Sequence, residues 1–65
     1  MNLIEGLIEE MNRVREIIKI YEEKPAGNFA AAIMKVDIAN AEKAMANGDV
    51  IAELQCFEVL KSYEL

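Results

Sequence analysis

The fold is decided by the stretch IEGLIEEMNRVREIIKIY, residues 4–21. Its large apolar residues recur at intervals of 3, 4, 3, 4 and 3, which places them along one side of a helix. This is the spacing of a heptad seam, which serves equally well for packing within one chain and between two chains. It predicts a helix over about residues 2–23. The seam consists of Ile4, Leu7, Met11, Val14, Ile18 and Tyr21.

Two short turns follow the seam and divide the rest of the chain. Pro25 blocks the continuation of a helix, and Gly48 suits the left-handed position that follows a helix end. Asn28 and Asp49 are each placed to cap the helix after them. The sequence therefore predicts an all-α fold of three helices, with the second and third as an antiparallel pair against which the first packs. The predicted ranges are about 2–23, 28–46 and 49–63, within a single domain of residues 1–65.

The chain carries more apolar surface than one small three-helix bundle can cover. Hydrophobic residues make up 54% of the 65 residues, whereas a chain of this length buries only about 60% of its unfolded surface. The middle helix is apolar along one side for its whole length and on a second side in its first half. We therefore expect self-association, as a homodimer or a larger oligomer, through the ends of the seam and the second side of the middle helix. The predicted interface residues are Ile4, Leu7, Met11, Val14, Ile18, Tyr21, Phe29, Ile33 and Val36.

Composition and charge narrow the classes of function. The net charge is −5, from 12 acidic and 7 basic residues, which disfavours direct binding to nucleic acid and to anionic membranes. The longest purely apolar run, residues 29–34, is far shorter than the roughly 20 residues that cross a bilayer. The first residues lack the basic region of a signal peptide. We expect a cytoplasmic protein, and the single Cys56 agrees with a reducing compartment.

The residue types speak against catalysis and against a bound metal or cofactor. Histidine is absent, so acid–base chemistry near neutral pH would need a shifted carboxylate or lysine. Asp37 is the acid nearest to an apolar helix face. It is either a tuned, buried carboxylate or, as we favour, a partly exposed partner of a Lys or Arg on another helix. Cys56 has no histidine to activate it and is expected to be a buried apolar side chain, so we predict no enzyme and no cofactor.

The part of the chain after the first helix resembles a known group of proteins. It reads PAGNFAAAIM over 25–34, DIANAEKA over 37–44, NGDVIAEL over 47–54 and LKSYE over 60–64. This is similar to short, uncharacterised helical proteins encoded by tailed phages and prophages. The shared features are the Pro-x-Gly-x-Phe turn, the acid at Asp37 and the Gly-Asp-Val start of the last helix. The resemblance implies a phage or prophage accessory protein and carries over no catalytic residue.

Together these observations favour a non-enzymatic protein-interaction module that binds further copies of itself and a host or phage protein. Two alternatives stay open. One is a small-molecule or nucleotide sink at an oligomer interface, for which the cations would be Arg13, Arg15, Lys19 and Lys35. The other is an acidic decoy that inhibits a basic partner through its net negative charge.

Overall fold

The computed structural model describes residues 2–65 and confirms the predicted all-α fold. Helix α1 spans Leu3–Glu22, α2 spans Asn28–Asn47 and α3 spans Val50–Lys61. A single turn of 3-10 helix, Pro25–Gly27, joins α1 to α2. Over residues 2–65 the chain forms no strand, and none of its helices combines the length and the apolar character that crossing a membrane requires.

Helix α1 begins with a side-chain cap. The Asn2 side-chain oxygen accepts the backbone N–H of Glu5 at 2.9 Å, which satisfies one of the donors left free at a helix start. The Asn2 amide nitrogen also donates to the Glu5 carboxylate at 3.3 Å. The negative charge of Glu5 in the first turn and the positive charge of Lys19 in the last turn both interact favourably with the helix dipole.

The turn between α1 and α2 differs from its prediction in one respect. Pro25 opens the 3-10 turn and Lys24 before it is extended, as the residue before a proline prefers. Asn28, however, is the first residue of α2 and not its cap, and no side chain caps this helix. The physical reason is that Gly27 already has a near-helical backbone, with φ −86° and ψ −8°. A capping residue itself needs an extended backbone, whereas Asn28 is helical, with φ −64° and ψ −34°.

The turn between α2 and α3 has the two features that its sequence predicts. Gly48 adopts φ +63° and ψ +28°, and its N–H closes α2 on the Ala44 and Met45 carbonyls. The Asp49 carboxylate caps α3 by accepting the N–H of Ala52 at 3.1 Å. Helix α3 ends at Lys61, two residues before its predicted end.

Each helix contacts the other two, so the contacts do not single out α2 and α3 as a pair on which α1 rests. The core lies between the three helices, and α1 supplies five of its ten buried residues, four of them from the heptad seam. Leu7 and Val14 are fully buried there, as is Leu60 from α3. The core consists of Leu7, Met11, Val14, Ile17, Ile18, Ala31, Met34, Ile38, Ala41 and Leu60.

The third helix is much shorter than the other two. It has 12 residues, whereas α1 and α2 have 20 each. Its last carbonyls lie against Arg13, which is halfway along α1. The halves of α1 and α2 next to the Pro25 turn therefore have no third helix beside them. Some apolar side chains there stay exposed, and Ile33 on α2 is one of them, at 44%.

Candidate functional site

The main surface feature is the side of α2 that faces away from the core. Phe29 is 79% exposed and Val36 is 58% exposed, although both lie within a helix whose opposite side is buried. Lys43 is the single charged residue on this side of α2. This surface, the outer α2 face, consists of Phe29, Ala32, Ile33, Val36, Ala39, Asn40, Lys43, Ala46 and Asn47.

A second apolar surface lies on α3. Val50, Ile51 and Leu54 are at least half exposed, and Ile51 is the most exposed of them at 70%. These three residues, the outer α3 patch, occupy the first turns of the helix. They cover a shorter length than the outer α2 face, which runs along the whole of α2.

The predicted interface residues fall into two groups in the structure. The middle of the α1 seam is used within the chain, because Leu7, Met11 and Val14 are core residues, as is Ile18. Of the seam ends, Ile4 is 40% exposed and Tyr21 is half-buried against the core. The α2 members, Phe29, Ile33 and Val36, come together on the outer α2 face.

Two ion pairs between α1 and α2 border the outer α2 face on one side. Lys35 Nζ lies 2.5 Å from a Glu22 carboxylate oxygen. About two helical turns further along α2, an Arg15 guanidinium nitrogen lies 3.9 Å from the Glu42 carboxylate. Lys35 and Glu42 keep more than half of their side-chain surface exposed, so each can meet a further charge from outside the chain.

The four cations proposed for a ligand sink all have partners within the chain. Besides Lys35 and Arg15, Lys19 pairs with Glu16 at 3.1 Å and Arg13 Nε pairs with Glu10 at 2.5 Å. Arg13 lies against the end of α3, whereas Arg15 and Lys35 lie between α1 and α2, so the four cations do not converge on one site. Paired cations have less attraction left for an anionic ligand, which weakens the sink hypothesis.

Arg13 has a structural role that its sequence does not reveal. Its Nη1 donates to the Tyr63 carbonyl at 2.6 Å, and its Nη2 donates to the Leu60 carbonyl at 2.8 Å. A longer contact of 3.4 Å reaches the Lys61 carbonyl. A helix end leaves its last carbonyls without partners, so the guanidinium of α1 closes the end of α3.

Asp37 has a partner other than the predicted Lys or Arg. The Tyr63 hydroxyl donates a short hydrogen bond to its carboxylate. Asp37 has this partner because α3 ends opposite it, so that Tyr63, two residues after the end of α3, lies beside the carboxylate. The hydrogen bond to Asp37, then burial and the Asp37 charge, raise the pKa of Tyr63 to about 12. The phenol therefore stays protonated and acts as a fixed donor near neutral pH.

Cys56 is half-buried, and not fully buried as its sequence predicts. It lines an open groove of about 400 Å³ between α2 and α3, together with polar residues that include Asp37, Lys43 and Gln55. Burial, and then the charge of Asp37, raise the pKa of the Cys56 thiol. A thiol with a raised pKa is a weak nucleophile at neutral pH. No group of three His, Cys, Asp or Glu residues between positions 2 and 65 is arranged to hold a metal ion.

Glu53 is an acidic residue whose burial the sequence analysis does not predict. Asp37 is the acid expected nearest to an apolar face, yet Glu53 is only 4% exposed. A signal for this was present, because Glu53 lies seven residues before the buried Leu60. Seven residues are almost two full helical turns, so the two side chains share one side of α3.

Comparisons of the chain with known protein families, with curated proteins and with solved structures found no match.

Proposed function

We propose that the chain is a non-enzymatic protein-interaction module that self-associates and works as a small accessory protein of phage or prophage origin. One observation carries the proposal: on one side of α2, the first half of the helix presents three large apolar side chains, Phe29, Ile33 and Val36, to solvent. A contiguous apolar surface of this kind is typical of a contact with another protein. The resemblance of the last two helices to short phage proteins supplies the suggested origin, and a cytoplasmic location belongs to the same proposal.

The chemistry of the polar groups supports a role without catalysis. The Tyr63 phenol and the Cys56 thiol both have raised pKa values, which opposes proton transfer and nucleophilic attack at neutral pH. No specific observation favours either of the two alternative functions, the ligand sink and the acidic decoy. The candidate cations of the ligand sink have partners within the chain. Four acidic side chains of α1 and α2 are likewise paired with cations. This pairing reduces the free negative charge that an acidic decoy would present to a basic partner.

The experiment is a measurement of solution mass by light scattering on a sizing column at several loading concentrations. We expect a species heavier than the 7.3 kDa monomer, with a population that grows with concentration. Replacement of Phe29 by glutamate places a charge in the outer α2 face and is expected to shift the protein towards monomer. The matched control is Ile51→Glu in the outer α3 patch, which is expected to leave the mass unchanged.

Two results would count against the proposal. A monomer at every concentration would remove self-association from it. Conversely, an oligomer that resists Phe29→Glu but dissociates with Ile51→Glu would move the contact from the outer α2 face to the outer α3 patch. Circular dichroism of each variant establishes that its helices remain formed, which is expected because both side chains are exposed.

A further inference from the structure

The outer α2 face has a regular spacing of its own. Its central residues follow one another at intervals of 3, 4, 3, 4 and 3, the same pattern as the buried seam of α1. Large and small side chains alternate strictly along it, and all of them are exposed. The large residues are Phe29, Val36 and Lys43, and the small ones are Ala32, Ala39 and Ala46.

We propose that two copies of the chain associate through their outer α2 faces, with the two α2 helices antiparallel and related by a two-fold axis near residues 37 and 38. The proposal rests on the proposed function and specifies its partner and geometry. In this register Phe29 lies opposite Ala46 of the second copy, and Val36 lies opposite Ala39. Lys43 lies opposite Ala32 and directs its ammonium group to solvent along an apolar stem. Every large side chain therefore meets an alanine, which lets the helices approach closely.

The charges beside the outer α2 face fit the same register. In antiparallel helices, flanking positions on one side pair with the equivalent flanking positions of the partner. Lys35 of each copy then lies next to Glu42 of the other, so two opposite-charge pairs form across the axis. Both residues are exposed and border the outer α2 face, as this arrangement needs. On the opposite flank Ile33 lies next to Asn40 of the second copy, where no charge is left unpaired.

A parallel arrangement of the same helices fits much less well. Each residue would then face its own copy, so Lys43 would face Lys43 in the middle of the contact. The alanines would face alanines beside layers of Phe29 or Val36, which leaves gaps between the helices. Like charges and poor packing disfavour this alternative and select the antiparallel one.

The contact is small, which sets the expected affinity. A helix of 20 residues is about 30 Å long, and one of its sides covers less than the roughly 800 Å² per partner of a standard interface. We therefore expect a dissociation constant on the order of 10–100 µM, within the range of sedimentation equilibrium.

The test uses two charge reversals that are complementary to each other. Lys35→Glu places two like-charge contacts in the antiparallel homodimer, as does Glu42→Lys, and each is expected to weaken it about tenfold at low ionic strength. An equimolar mixture of the two variants should restore association as a heterodimer, because acidic residues then face basic residues at both contacts. Raising the salt concentration should reduce these differences.

Control variants separate this effect from the ion pairs within the chain. Glu22→Gln and Arg15→Gln remove the partners of Lys35 and Glu42 on α1 and leave the proposed contacts intact, so association should match the wild type. Single reversals that associate like the wild type would overturn the antiparallel register. A mixture that stays as weak as its components would overturn it as well. In either case a continued effect of Phe29→Glu would keep the proposed function and reject only this geometry.

Discussion

At the scale of single residues, Arg13 connects two helices that are far apart in the sequence. Its guanidinium pairs with Glu10 on its own helix and donates to carbonyls at the end of α3. The planar group reaches several acceptors at once, which the single ammonium group of lysine cannot do. The side chain therefore fixes where α3 ends relative to α1.

We expect Arg13→Ala to lower the free energy of unfolding by about 2 kcal/mol, because it leaves the last carbonyls of α3 without charged donors. Arg13→Lys should recover less than half of that loss. Urea unfolding followed by circular dichroism measures both. The control is Arg15→Ala, which removes an exposed ion pair of 3.9 Å and an exposed hydrogen bond to Asn12, and should cost less than about 0.5 kcal/mol. Equal losses for Arg13→Ala and Arg15→Ala would contradict the role of Arg13.

Tyr63 makes stability depend on alkaline pH. Its pKa is raised from the ordinary value of 10.0 to about 12 in the folded protein, so folding favours the protonated phenol. The stabilisation is complete below pH 10 and is lost as the pH rises from 10 through 12. We expect Tyr63→Phe to abolish this part of the pH dependence and to cost about 1 kcal/mol at pH 8. Urea unfolding at several pH values tests it, with Tyr21→Phe as the control.

At the scale of elements, the two turns depend on glycine for different reasons. A Cβ atom on Gly27 would lie 2.0 Å from the Tyr21 carbonyl oxygen, which is backbone and cannot rotate away. Gly48 has open space around it but a left-handed backbone, with φ +63°. One turn therefore needs glycine for space, and the other needs it for conformation.

We expect Gly48→Ala to destabilise the protein by about 1 kcal/mol, the cost of a left-handed alanine. Gly27→Ala should cost clearly more, about 3 kcal/mol, because the α1–α2 turn must shift to remove the clash. Thermal and urea unfolding of the two variants give the comparison. If the Gly27→Ala protein is as stable as the Gly48→Ala protein, the α1–α2 turn shifts at little cost and the prediction is wrong.

The sequence predicts the elements better than it predicts contacts between them. The seam of α1, the left-handed Gly48 and the Asp49 cap are local patterns, and each is confirmed. The hydrogen bonds of Arg13 to the end of α3 join residues that are 47 to 50 positions apart. The Asp37–Tyr63 bond spans 26 positions, so no local pattern contains it. The outer α2 face lies between these cases, since its apolar residues are visible in the sequence but their exposure depends on where α3 ends.

At the scale of the whole molecule, Leu60 is the apolar side chain of α3 that is buried in the core. Leu60 is fully buried, whereas Leu54 on the same helix is half exposed. We expect Leu60→Ala to lower the free energy of unfolding by about 3 kcal/mol, through lost burial and the cavity that remains. Leu54→Ala should cost less than about 1 kcal/mol. Urea unfolding at a low protein concentration measures the monomer alone, and similar losses would contradict the observed packing.

The short third helix also divides the protein along its length of 36 Å. Where α3 lies against α1 and α2, backbone amide protons should exchange with solvent deuterium only when the entire chain unfolds. Around the Pro25 turn, where only two helices meet, the same protons should exchange through local fraying at a lower free energy. Phe29 lies in that second region, so a partner that covers it would slow exchange there most. Deuterium uptake therefore records occupancy of the surface without any substitution in the chain.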